Sequence, residues 1–212
     1  MDTDRLIQAL TADSDHRARP VGWMLAVALA LTVPISTVMF MMRLGVREDI
    51  STAMRNPFFE LKFVVAAALL FAAIAIVLRL ARPAAPLSGA RWLLAIPASL
   101  LGIGIVTDLM MPQQSTWSAR LMGSNMKVCL TAIPLLSAPI LVAALVALRH
   151  GAATRPALAG AFAGLVSASI AAVLYAAHCF DDSPLFVATW YSLAIGLVTA
   201  VGALIGARVL KF

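Results

Sequence analysis

Cys129 and Cys179 are the only thiols in a chain of 212 residues. A thiolate is both a nucleophile and a soft metal ligand, so such a pair can close a disulfide or hold a soft ion. Neither cysteine belongs to a C-x-x-C, which argues against a catalytic dithiol running exchange reactions. Around the second, the chain reads Ala177-His178-Cys179-Phe180-Asp181-Asp182-Ser183-Pro184. Ser183 before Pro184 is a helix start, because serine caps an N-terminus and proline suits the first turn, and the two aspartates would favour the dipole of that helix. This accounts for Asp181 to Pro184 and leaves His178 and Cys179 unexplained, with Cys129 as the second segment they could work with. Thiolate, imidazole and thioether together suit monovalent copper or a similar soft ion. Cys129, Cys179 and His178 are therefore the candidate metal ligands, Asp181 and Asp182 weaker contributors, and a soft transition metal ion such as copper the candidate cofactor.

The elements that must position these groups are membrane spans. The composition is 62% hydrophobic and 12% charged, with a mean hydropathy of +0.94. A span needs roughly 20 mostly apolar residues, so the chain has room for about six and for no large soluble catalytic domain. Apolar stretches at 21–42, 63–78, 92–111, 126–148, 157–177 and 186–207 are each bounded by charge, proline or glycine. All six read as helices, giving an all-α integral membrane bundle of residues 21–212 behind a short N-terminal segment of residues 1–20. The second stretch is short, and Lys62 and Arg79 at its ends would snorkel to the interfaces. Cys129 then lies one turn into the fourth span and Cys179 at the end of the fifth. Counted back from the connection between those spans, their depths differ by about one helical turn at ~1.5 Å per residue.

Six spans place both termini on one side. The face carrying the termini holds ten of the sixteen lysines and arginines, and the other holds six, balanced there by Glu48, Asp49, Glu60, Asp108, Asp181 and Asp182. The positive-inside rule makes the termini cytoplasmic and turns the connections near 43–62, 109–125 and 178–185 outward, to the periplasm of a bacterial inner membrane. Eight of the ten methionines, Met39, Met41, Met42, Met54, Met110, Met111, Met122 and Met126, fall near that outer side. They fit a soft-metal mouth, or apolar filler. Asp108, one turn inside the third span, calls for a cationic partner, with Lys127 and Lys62 as candidates. Gly160, Gly164 and Ser167 on the fifth helix and Gly202 and Gly206 on the sixth make small faces for close packing. Phosphate loops, Ser-His-Asp spacing and His-Glu zinc motifs are missing, so no enzyme class is signalled and no small-molecule substrate is expected. The formal charge of +6 is scattered through apolar sequence, which excludes a direct nucleic-acid surface.

The leader, MDTDRLIQALTADSDHRARP, opens with an apolar stripe of Leu6, Ile7 and Leu10 and continues as a polar linker. Acidic Asp2, Asp4 and Asp13 outnumber Arg5 around the stripe, which suits a protein groove better than a membrane surface.

Several runs together resemble a family: the leader from Asp4 to Leu10, Arg55-Asn56-Pro57-Phe58-Phe59-Glu60-Leu61-Lys62, Cys129-Leu130-x-x-Ile133-Pro134, Arg155-Pro156-Ala-Leu-Ala-Gly160 and His178-Cys179-x-Asp181-Asp182-Ser183-Pro184. The chain resembles the NrsF family, six-span inner-membrane anti-sigma factors that hold a sigma F type extracytoplasmic-function sigma factor inactive. The resemblance implies that the leader, including Asp4, Leu6, Ile7 and Leu10, grips the sigma factor. It also implies that both cysteines are needed to sense heavy-metal or oxidative stress. The residue types keep a second reading open, a six-span metal transporter using soft ligands, although transporters place polar groups nearer the midplane.

Overall fold

A computed structural model describes residues 20–82, 89–111, 116–151 and 153–210, with Thr3 in addition. The leader residues Asp4, Leu6, Ile7 and Leu10 lie outside the described residues. Six helices are long and apolar enough to cross a membrane: α1, Val21–Arg43; α2, Pro57–Leu80; α3, Ala90–Met110; α4, within Trp117–Leu148; α5, Pro156–Ala176; and α6, Pro184–Val209. The α4 span proper is Met126–Leu148, preceded by a short helix Trp117–Met122. Among the described residues there are no strands, so the fold is an all-helical bundle.

Local signals set the helix starts. Asn56 accepts the N–H of Phe58 at 3.0 Å and Pro57 occupies the first turn, so α2 begins at Pro57 rather than at residue 63. The second span is thus of full length. Lys62, expected to snorkel from its end, instead sits in the second turn and is buried. Ser183 caps α6 by accepting the N–H of Leu185 at 3.3 Å, as its position before Pro184 implies. A wider π turn, Val187–Tyr191, follows within the first turns of α6, an irregularity that often marks functional segments.

The central helix is α5. It packs most extensively on α6, then on α2 and α4, while α1 lies on α4 and α3 on α2. The α5–α6 seam is the small-residue face read from the sequence: a Cβ on Gly160 would strike the Gly202 carbonyl and the Gly206 Cα, and one on Gly164 the Val198 carbonyl. With no hydrophobic drive between helices in lipid, this close backbone approach supplies the packing. Ser36 in mid-α1 adds a buried bond to the Leu136 carbonyl of α4, at 2.9 Å. Leu31, Val38, Phe71, Ile103, Val142 and Leu204 face outward, the apolar girdle expected of helices solvated by lipid.

Candidate functional site

The connection leaving α1, the start of α4 and the connection between α5 and α6 meet at one end of the bundle. Residues 177–183 are the hub. Asp181 lies on the amino end of α4, where its carboxylate accepts the backbone N–H groups of Ser124 at 3.0 Å and Asn125 at 2.8 Å. It therefore complements the dipole of α4, not that of α6 as proximity in sequence implies. The turn it grips depends on Gly123, whose φ of 57° puts it in the left-handed region and whose missing Cβ leaves room for Phe186 and Asp181 itself.

That bridge joins the two cysteine segments. Cys129 is one turn into α4, its N–H bonded to the Asn125 carbonyl at 2.8 Å, and the Tyr175 hydroxyl donates to the same carbonyl at 3.4 Å. Cys179 follows α5 and its Sγ approaches the Asp181 carbonyl at 3.8 Å. Both thiols are free, fully buried and in one apolar cluster with Tyr175 and Tyr191. The Tyr191 hydroxyl is buried beside Cys179, with Cys129 and Tyr175 as its further electrostatic neighbours. Burial pushes the Cys179 thiol up from its ordinary range, with the Lys62 ammonium pulling partly in the other direction.

His178 is directed elsewhere. Its Nδ1 lies 3.1 Å from the Gly45 carbonyl and its ring stacks edgewise on Phe180. Among the described residues no group of three or more His, Cys, Asp or Glu side chains is arranged to hold a metal ion. The two thiols are therefore not joined by a third His, Cys, Asp or Glu ligand among the described residues. Of the outer methionines, Met39 and Met126 pack partly buried on the core, and Met41, Met42, Met54, Met110, Met111 and Met122 are exposed as apolar surface.

Asp182 belongs to a charge cluster that the residue types alone did not reveal. Lys62 Nζ donates to it at 2.6 Å and Arg47 at 3.1 Å, and both cations also donate to the Cys179 carbonyl, at 2.9 and 3.1 Å. Arg47 clasps Asp49 with two bonds of 2.7 Å, which holds the Asp49 carboxyl below its usual range and the guanidinium above its own. The Phe59 and Phe180 rings cover the cations, Phe180 at 4.7 Å from the Arg47 guanidinium carbon. Lys62 and Arg47 are 2% and 7% exposed; deleting one member of such a buried set costs about 3–5 kcal/mol.

Asp108 is also paired, but with Arg120 rather than with Lys62 or Lys127. Lys62 is committed to Asp182, and the short helix before α4 swings Arg120 back over the end of α3. Ser183 adds a bond to Asp108 at 3.4 Å. A polar cleft of about 330 Å³ opens beside this pair and reaches Asn56, Asp181 and Asp182.

No solved structure matches this chain. Its sequence is 31% identical over 215 residues to the "Probable anti-sigma-F factor NrsF" of Azospira oryzae, with both chains covered end to end. It is 33% identical over 218 residues to the "Anti-sigma-F factor NrsF" of Caulobacter vibrioides, again covering all of both. The family model described as a negative regulator of sigma F matches residues 10–212, the leader's end and all six spans, and the chain therefore belongs to the NrsF family.

Proposed function

We propose that this protein is an anti-sigma factor that sequesters an extracytoplasmic-function sigma factor at the inner membrane and releases it on a heavy-metal or oxidative signal reaching the cysteine pair from the periplasm. The observation that carries this reading is end-to-end similarity to two proteins named as anti-sigma-F factors. The arrangement of the site supports it: two buried thiols share one end of the bundle, with the charge balance favouring that end as periplasmic. The leader would lie on the opposite, cytoplasmic face, where its Leu6, Ile7 and Leu10 have an apolar stripe and Asp4 a charge to present to the sigma factor.

Two chemistries suit the pair. A two-electron oxidant of the peroxide class would join the sulfurs, taking up both thiol hydrogens, whereas a soft ion such as copper would be held by two thiolates, with His178 keeping Nδ1 on the Gly45 carbonyl and Nε2 as its ligating atom. A disulfide switch protects both thiols from alkylation after oxidant and needs no His178. A metal switch binds about one ion per chain under reducing conditions and weakens in His178→Ala. The transporter alternative draws less support, since Arg47, Lys62, Asp108 and Asp182 gather at one end and are paired with one another.

The decisive experiment is pull-down of the co-expressed sigma factor by full-length protein carrying Leu6→Asp and Leu10→Asp. Two charges placed in an apolar interface should weaken binding by more than ~2 kcal/mol and switch on sigma-dependent transcription. Undiminished capture would overturn the assignment of the leader. Deletion of residues 1–18 separates the classes, because a transporter would keep working without them.

A further inference from the structure

Two cations aim at one backbone carbonyl. The oxygen of Cys179 accepts from Lys62 Nζ at 2.9 Å and from Arg47 at 3.1 Å, and the same two groups converge on the carboxylate of Asp182 three residues later. The partners come from three separate segments: Arg47 from the connection leaving α1, Lys62 from the second turn of α2, and Cys179 with Asp182 from the connection between α5 and α6. Further bonds tie the first and third segments together. The Arg47 N–H donates to the Ala177 carbonyl at 3.1 Å, and His178 Nδ1 lies 3.1 Å from the Gly45 carbonyl.

A turn needs no such investment for stability alone. Burying a lysine and an arginine incurs a large desolvation cost, and apolar residues of similar size would hold a bundle end at least as well. What charged, multiply bonded groups add is a single defined register. Here the register fixed is that of the peptide whose side chain is the Cys179 thiol.

We propose that Lys62, Arg47 and Asp182 form an ionic latch that sets the position of Cys179 and ties the cysteine connection to α1 and α2. The three are positioning residues and act on the thiol through its own backbone. A bond drawn between the sulfurs, or an ion held by them, changes the packing on one side of a peptide that the latch grips on the other. Interiors packed this tightly shift between discrete arrangements instead of deforming smoothly. The freed connection is the one that runs from Gly45 into α1, and the other end of α1 joins the leader. The positioning role stands on the geometry alone, whereas its use in signalling rests on the cysteine pair being the sensor.

The test is alkylation of the full-length protein in native membranes by N-ethylmaleimide, with each cysteine followed separately by peptide mass and a sigma-dependent reporter read in the same cells. Lys62→Met and Asp182→Asn should each speed modification of Cys179 on the order of tenfold or more, leave Cys129 nearly as slow as before and raise the reporter without inducer. Lys62→Arg, which keeps the charge and can reach both acceptors, should stay near the parent protein. If Lys62→Met does not accumulate in the membrane, Arg47→Gln carries the same test from the outer edge of the cluster. Unchanged Cys179 labelling in these variants, or Cys129 and Cys179 opening together, would overturn the latch. Faster labelling of Cys179 with a silent reporter would uphold the latch and refute the sensing function.

Discussion

A thiol with no exposed surface reacts only when the packing around it opens, and both cysteines are in that condition. Their burial makes them poor scavengers and keeps them from random modification. Cys179, raised by burial above the ordinary thiol range, is mostly protonated at neutral pH, so its alkylation should be slow and should accelerate as pH rises. If the two act as one unit, Cys129→Ser and Cys179→Ser will show the same phenotype in a sigma-dependent reporter, and the double substitution will be no worse than either. Additive or unequal effects would show that they work separately. Asp181 ties the Cys179 connection to the start of α4 through the backbone N–H groups of Ser124 and Asn125. Asp181→Ala removes a charged acceptor from the amino end of α4 and should destabilise the detergent-solubilised protein by about 1–2 kcal/mol, read as a lower midpoint of thermal unfolding.

Helices α5 and α6 form the rigid half of the bundle, because glycines on each let the two backbones touch. Gly160 faces Gly202 and Gly206 with no space for a side chain, and its neighbours there are backbone atoms that cannot rotate away. Gly160→Leu should therefore force the helices apart and cost at least ~2 kcal/mol, whereas Gly196→Ala, where a Cβ meets nothing, should be tolerated. The comparison is made by heating both variants in the same detergent and measuring the fraction remaining folded. By contrast, α1 joins the bundle mainly through α4, the Ser36 bond to Leu136 and the cluster around Arg47. It is the helix best placed to shift when that cluster opens.

Among the described residues, the ion pairs between Arg47, Lys62, Arg120 and their aspartates gather at one end, and the sequence puts the excess of lysines and arginines at the other. The positive-inside reading of the sequence predicts that a reporter active only in the periplasm will be silent when fused after Phe212 and active when fused near residue 115. The inverse pattern would place the cysteines on the cytoplasmic side and remove the route for an external signal.

The six spans and the small-residue faces of α5 and α6 were legible in the sequence, because each depends on a local property: an apolar run of sufficient length, or glycines one turn apart. The Ser183-Pro184 helix start was legible for the same reason. The resemblance to the NrsF family was equally open to reading, since motifs are contiguous. Partners were not. Lys62 and Asp182 are 120 positions apart and Asp181 and Asn125 are 56 apart, and no periodicity within one helix records which charge another helix will bring. Hydropathy sent Lys62 to an interface and gave Asp108 a lysine. Only the packing of α2 against α5 turned Lys62 inward to Asp182, and only the short helix before α4 returned Arg120 to Asp108. A buried charge takes its place from whichever opposite charge shares its low-dielectric surroundings, and that is decided when the helices assemble.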